Sequence, residues 1–214
     1  MLDKDRIKKE KLEIIKKLFD EAFLELKEAN LNEISKKSDV NFITTKEGHK
    51  QIVIPYLNRE IIADINNKNI YWSNSIEKID LHLGVITMHY LLRCNLRETG
   101  EGWISYREIP DALFYAKTIP GTLSSLVKIF SERPNRLLLS TKKLNGENIS
   151  IGDMGILLKP FPKYPVLFVF HRSDDEFPAE ANVLYDKSVK NLLSAEEVKV
   201  LTIFLIKELI NVKI

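Results

Sequence analysis

The hydrophobic residues of this chain change their spacing along its length, and that change constrains the fold more than any other feature. In residues 3–28 they recur every three or four positions, which is the period of one helical face. In residues 42–72 they alternate, as at Ile52, Ile54 and Tyr56, which is typical of strands with one buried face. Helical and strand segments form separate clusters without a regular βαβ alternation, so we predict an α+β fold.

The first half of the chain predicts a helix, a sheet and a second helix. Residues 1–28 form an N-terminal amphipathic helix, and the alternating segments form an antiparallel β-meander with one buried face. Ser75 is placed to cap a helix that runs to about Asn95. Because that helix is apolar over most of its circumference, we expect it to be central and buried.

The second half predicts hairpins covered by helices. Trp103–Glu108 alternates like a short strand, and a continuous apolar run at Val166–Phe170 indicates a strand buried on both faces. Ser194 and Glu197 have the spacing of a capping box, which predicts the start of a C-terminal helix. Further predicted elements include a helix at 122–132, a strand at Leu137–Leu139 and a hairpin turn at Asn145-Gly146.

The chain contains no internal repeat and no linker-like segment, so we predict a single domain over residues 1–214. Its core is expected to be one contiguous cluster, in which both the central helix and the apolar strand take part. The residues chosen to represent this core are Leu83, Ile86, Tyr90, Val166, Phe168, Leu201 and Phe204.

Charge and cysteine content exclude several kinds of function. Lysine and arginine number 32 against 30 acidic residues, a net charge of +2, so we expect neither nucleic acid nor a membrane surface as partner. No run approaches about 18 apolar residues and no secretory signal is present, which predicts a cytoplasmic protein. Cys94 is the single cysteine, so this chain holds no iron–sulfur cluster of its own and no disulfide.

A candidate ligand site is centred on Trp103 and Arg107. If the segment is a strand, both side chains lie on one face, where an aromatic ring and a guanidinium suit an anionic or macrocyclic ligand. His89, on the predicted central helix, is either a hydrogen-bonded core imidazole or a group that contacts a planar cofactor. An arginine at the edge of a core needs a counter-charge, so we expect the acidic residues Asp174, Asp175 or Glu176 nearby.

The densest group of polar side chains follows the apolar strand, in the segment 171–186. His171, Asp174, Asp175 and Glu176 are candidate ligands for a hard cation such as Mg²⁺ or Ca²⁺, or a source of a carboxylate base. The alternative is a surface loop whose acids make turns and ion pairs. The familiar phosphate-binding, dinucleotide-binding, metalloprotease and hydrolase motifs are absent from the sequence.

Taken together, seven segments resemble an uncharacterised prokaryotic family, catalogued as domain of unknown function 3786, over about residues 20–210. The resemblance implies a setting in anaerobic metabolism near corrinoid or metal-cofactor enzymes, and it carries over no catalytic residue. Some members carry an additional cysteine-rich iron–sulfur module, whose cysteines this chain lacks. The segments are His89–Leu91, Gly102–Glu108, Tyr115, Gly152-Asp153, Pro160–Pro165, Asp174–Ala179 and Leu184–Ser188.

Three functions remain open on this evidence. The first is a small-ligand or cofactor-binding accessory protein, whose site is lined by Trp103, Arg107, His89 and the acidic segment. The second is a module that docks onto a partner protein. The third is a metal-dependent enzyme that uses the acidic segment 171–186. A deep pocket that joins Trp103 to that segment favours the first, and an acidic cleft favours the third.

Overall fold

The computed structural model of the protein combines α-helices with antiparallel sheets. Within the described residues there are six α-helices and two antiparallel sheets, of four and five strands, which confirms the predicted α+β class. The chain divides into two compact units: one holds the first three helices and the first four strands, and the other holds the later elements together with Pro55–Asn58. The described residues are 2–95, 99–100, 102–115, 117–131 and 133–213.

The first unit contains the predicted meander and the predicted buried helix. Its four strands lie in the order β1-β2-β3-β4, each antiparallel to its neighbour in the chain. Helix α3 is buried from Leu83 to Leu91, as its apolar circumference predicts. The elements are α1 (Leu2–Glu28), α2 (Leu31–Ser38), β1 (Asn41–Thr44), β2 (Lys50–Tyr56), β3 (Arg59–Asp64), β4 (Asn69–Trp72) and α3 (Leu81–Arg93).

Helix α3 begins later than the sequence predicts. Asp80, and not Ser75, is its N-cap, and the Asp80 carboxylate accepts a hydrogen bond of 2.9 Å from the backbone N–H of His82. The prediction was wrong because two capping residues precede the same apolar stripe, and spacing alone does not choose between them. At the far end, Tyr90 donates its hydroxyl to the carbonyl of Ser38 at 2.6 Å, which ties α3 to α2.

The second unit is built around strand β8. The sheet order is β5-β9-β8-β7-β6, so β8 is central, and every residue from Tyr164 to Phe170 is buried. This confirms the prediction from the apolar run Val166–Phe170. The elements are β5 (Trp103–Ser105), α4 (Thr118–Phe130), α5 (Pro134–Lys143), β6 (Glu147–Ile149), β7 (Met154–Phe161), β8 (Tyr164–His171), β9 (Glu180–Asp186) and α6 (Ala195–Asn211).

The capping box at the start of α6 is present as predicted. The backbone N–H of Ser194 donates to the Glu197 carboxylate at 2.8 Å, and the N–H of Glu197 donates to the Ser194 hydroxyl at 3.4 Å. One buried hydrogen bond then links this helix to the sheet, between the hydroxyls of Tyr185 and Thr202 at 2.7 Å. The C-terminal helix is therefore capped at its start and hydrogen-bonded to the five-stranded sheet through Thr202.

Two predictions in the second unit were wrong. Leu137–Leu139 is part of helix α5 and not a strand, because Pro134 occupies the first helical turn, where proline is favoured. Leu137 is buried while Leu139 is 48% exposed, which is the pattern of a helical face. Asn145-Gly146 consequently follows a helix and connects it to β6, so it does not close a hairpin between two strands.

The seven residues chosen to represent the core are divided between the units. Leu83, Ile86 and Tyr90 are buried in the first unit, and Val166, Phe168 and Leu201 are buried in the second. Phe204 is only half-buried on α6. Among the described helices, none combines the length and apolar content needed to cross a membrane.

Phe168 gives a direct test of the central strand. Replacing Phe168, which is fully buried on β8, with alanine is expected to lower the free energy of unfolding by about 3–5 kcal/mol, because it leaves a cavity. Phe177, which is 66% exposed, is the matched control, and its replacement with alanine should cost no more than about 0.5 kcal/mol. Urea denaturation measures both. A loss under about 1 kcal/mol for Phe168→Ala would show that β8 is not the centre of the core.

Asp64 makes the first unit sensitive to acid. Burial favours a higher pKa for this carboxyl, but hydrogen bonds from Asn67 and Gln51 outweigh burial and lower the pKa below its ordinary value. A lowered pKa in the folded state means that the stabilisation is present at neutral pH and is lost as pH falls through that pKa.

The variant Asp64→Asn is therefore expected to be less stable at neutral pH by about 1–3 kcal/mol, because its amide nitrogen faces donors. The difference from the wild type should shrink as the pH is lowered, because the wild-type carboxyl is then protonated as well. Urea denaturation at a series of pH values measures this. A difference that stays constant down to acidic pH would contradict the assignment.

Candidate functional site

Strand β5 ends three residues earlier than the sequence predicts. Trp103, Ile104 and Ser105 pair with Asp186, Tyr185 and Leu184 of β9. The chain then leaves the sheet in a 3₁₀ turn, Tyr106–Glu108, so Arg107 does not lie on a strand and the predicted alternation through residue 107 was wrong.

A hydrogen bond across this turn ends the strand. The backbone N–H of Ser105 donates to the Glu108 carboxylate at 2.7 Å, which is one half of a capping box. This N–H, followed by the Ser105 hydroxyl, also lowers the pKa of Glu108, so the carboxylate remains charged and a strong acceptor at neutral pH. Tyr106 also holds the turn in place, because its hydroxyl donates a hydrogen bond to the carbonyl of Ala195 at 2.7 Å. Burial raises the pKa of this hydroxyl to about 12, so it stays protonated and remains a donor at neutral pH.

The early end of β5 leaves part of β9 without a strand on one side. β9 pairs with β8 from Glu180 to Tyr185, but β5 pairs only with Leu184–Asp186. Over Glu180–Val183, β9 therefore has one neighbouring strand within the described part of the chain.

One hydrogen bond just after β9 shows toward which side the backbone groups of this strand point. The N–H of Lys187 donates to the carbonyl of Gly102 at 2.8 Å, so residue 187 faces the β5 side. In an antiparallel ladder every second residue directs both its N–H and its C=O to the same side. Val183 and Ala181 therefore direct their backbone groups toward the open side, where no described strand pairs with them.

A groove of about 630 Å³ lies along this open edge. Its three walls are residues Ser105–Arg107 at the start of the capped turn, the segment Ala179–Val183, and one face of helix α4. We call it the edge groove. The residues of the α4 face recur at helical spacing and are mostly apolar. They are Ile119, Pro120, Leu123, Ser124, Val127 and Lys128.

A smaller cavity of about 170 Å³ adjoins the edge groove. Val127, Ala179 and Glu180 line both, so the two spaces are adjacent. The floor of the smaller cavity is apolar, with Phe130 and Leu137 among its lining residues. Its rim is polar and contains Asp153, His171, Arg172 and Ser173.

The residues predicted to bind a ligand are in different places. Arg107 is exposed and lines the edge groove. Trp103, 39% exposed on β5, is not among the lining residues of the groove. His89 is buried on α3, in the first unit. Ligand binding by this whole set stays a prediction, and of its six residues only Arg107 lines the groove.

The acidic residues lie in the exposed loop between β8 and β9. Asp174 makes a turn there, because its carboxylate accepts hydrogen bonds from the N–H groups of Glu176 at 2.9 Å and Phe177 at 2.7 Å. These two bonds lower the pKa of Asp174. Asp175 and Glu176 are also exposed, and His171 lies at the end of β8 opposite Glu180. Within the described residues, no group of three or more His, Cys, Asp or Glu side chains is placed to hold a metal ion.

Most groove residues were not identified from the sequence. Leu123 and Val127 lie within the predicted helix at 122–132 but were not proposed as site residues, and Ala181 and Val183 were not singled out. One signal was available, because Ser105 and Glu108 have the same spacing as the recognised capping box of α6. Reading that spacing as a capping box ends the predicted strand at Ser105.

The family model described as "Domain of unknown function (DUF3786)" matches residues 30–208. The matched region contains the capped turn, helix α4 and strand β9, and so all three walls of the edge groove. No curated protein and no solved structure matches the chain. Since the family model covers most of its length, the chain belongs to the DUF3786 family, as the resemblance of its motifs indicates.

Proposed function

We propose that this protein is a docking module that receives an extended segment of a partner protein in the edge groove. The observation that carries this proposal is the incomplete pairing of β9 beside an apolar helix face. Ala181 and Val183 offer backbone donors and acceptors in the direction a further strand would occupy. An added strand satisfies these groups, which is the basis of peptide recognition by strand addition.

The position of the missing strand supports the proposal. Extending the β5 register places residue 106 opposite Val183 and residue 108 opposite Ala181. The chain itself does not fill these places, because Tyr106–Glu108 forms the capped turn. A partner segment that lies in line with β5 fills them and runs antiparallel to β9.

The energy of such an interaction comes from backbone hydrogen bonds and from apolar burial. Two antiparallel pairs, at Ala181 and Val183, supply four backbone hydrogen bonds, each with a net value of about 0.5–1.5 kcal/mol. Alternate side chains of the segment then pack against the α4 face, where burial contributes about 25 cal/mol for each Å² of apolar surface. Backbone pairing thus supplies affinity, and the helix face supplies selectivity.

The second candidate function is that of a small-ligand or cofactor-binding accessory protein in anaerobic metabolism, which the family resemblance implies. Two observations favour it: the groove volume of about 630 Å³ lies in the range of small-molecule sites, and Arg107 and Lys128 suit an anionic group. A small molecule, however, does not need the strand edge. The enzyme hypothesis has no comparable support from the arrangement of the acidic loop.

Helix α4 provides a matched pair of variants to test the proposal. Ser124 is exposed and lines the groove, while the neighbouring Ser125 is exposed and does not line it. Ser124→Trp is expected to fill the groove, and Ser125→Trp should leave it open. Both proteins should unfold at wild-type urea concentrations, because neither residue is in the core.

The measurement is selection of a phage-displayed library of random peptides on each purified protein, followed by titration of the enriched peptides. We expect the wild type and Ser125→Trp to enrich the same peptides, and Ser124→Trp to bind them at least about tenfold more weakly. N-methylation of a backbone nitrogen removes its hydrogen-bond donor. Methylation at every second peptide position should abolish binding when those N–H groups face β9, and methylation at the intervening positions should leave binding unchanged. The proposal is wrong if no peptide is enriched, if Ser124→Trp binds as the wild type does, or if N-methylation has no alternating effect.

A further inference from the structure

The charges at the two ends of the edge groove carry a further inference, which rests on the proposed docking function. The groove lining contains two cations, Arg107 and Lys128, and one acid, Glu180. All three side chains are on exposed residues. The imbalance is local, because the whole chain is close to neutral.

The cations lie toward opposite ends of the groove. Val127 and Glu180 also line the smaller cavity, so they mark the end of the groove beside that cavity, and Lys128 follows Val127 directly. Arg107 lines only the groove, next to Ser105, and marks the other end. A bound strand therefore has a cation near each end and the apolar α4 face in between.

Further positive charge is present near Arg107. Glu108, the next residue, feels the charges of Lys187 and Lys190, which contribute to its lowered pKa. The Glu108 carboxylate already accepts the backbone N–H of Ser105, so it is engaged within the turn. At the other end, the rim of the adjoining cavity carries both Arg172 and Asp153, so it adds no net charge to that of Lys128 and Glu180.

We infer that the partner segment is acidic: an extended stretch of a partner protein with apolar side chains at alternate positions and aspartate or glutamate at its ends. The apolar side chains face α4, and the carboxylates face Arg107 at one end and Lys128 at the other. Such exposed pairs add little affinity individually, but they select against basic segments, because like charges at both ends repel.

The test is the same peptide selection, repeated on two double variants with the same change of charge. The double variant Arg107→Glu, Lys128→Glu reverses the sign of the charge at both ends of the groove. Lys142→Glu with Lys143→Glu changes two exposed lysines of α5 that do not line it. We expect the wild type and the α5 control to enrich peptides rich in Asp and Glu. The groove variant should enrich peptides rich in Lys and Arg.

Titration of one enriched acidic peptide gives the second readout. Its affinity for the wild type should fall by at least about threefold between low salt and about 0.3 M salt, because ions screen exposed charges. The groove variant should bind it at least about tenfold more weakly than the α5 control does.

The outcomes separate the two proposals. If the wild type enriches peptides that Ser124→Trp rejects, but without an excess of acidic residues, docking stands and the acidic partner is wrong. If the α5 control loses the acidic preference as fully as the groove variant does, the preference reflects total charge and the inference is again wrong. If no peptide distinguishes the wild type from Ser124→Trp, both proposals are wrong.

Discussion

The hydrogen bond from the backbone of Ser105 to the carboxylate of Glu108 determines the shape of the candidate site. It is 2.7 Å long and joins two residues that are three apart in sequence. It lies across the 3₁₀ turn Tyr106–Glu108, which keeps these residues out of the positions opposite Val183 and Ala181 that the β5 register would give them. A local cap therefore decides whether the second sheet has a complete edge or an open one.

The rest of the second unit gives that open edge a rigid support. β8 is buried on both faces and pairs with β9 along its length, so β9 stays in place although its other side is only partly paired. Tyr185, on β9, bonds to Thr202 of α6, and Tyr106, in the capped turn, bonds to Ala195 at the start of α6. Because one helix fixes both the strand and the turn, these two buried hydrogen bonds, together with the exposed Ser105–Glu108 bond, hold these two walls of the groove in place.

Sequence reasoning succeeded where a pattern was long or bounded by a clear cap. The alternation of the meander, the apolar run at Val166–Phe170 and the box at Ser194 each predicted their element correctly. It was wrong at Leu137–Leu139, where a short apolar run fits a helix or a strand equally well. The groove was missed because its walls come from segments far apart in the chain, and helical spacing does not show which apolar residues of α4 face a cavity instead of the core.

The open edge of β9 also affects how copies of this protein behave toward one another. Unpaired strand edges promote edge-to-edge aggregation, and natural proteins protect them with charges or with covering elements. Here α4 forms the facing wall, and Arg107 and Lys128 would meet the same cations on an approaching copy. Edge-to-edge pairing of two folded sheets is therefore disfavoured, whereas the groove beside β9 has room for a single extended segment.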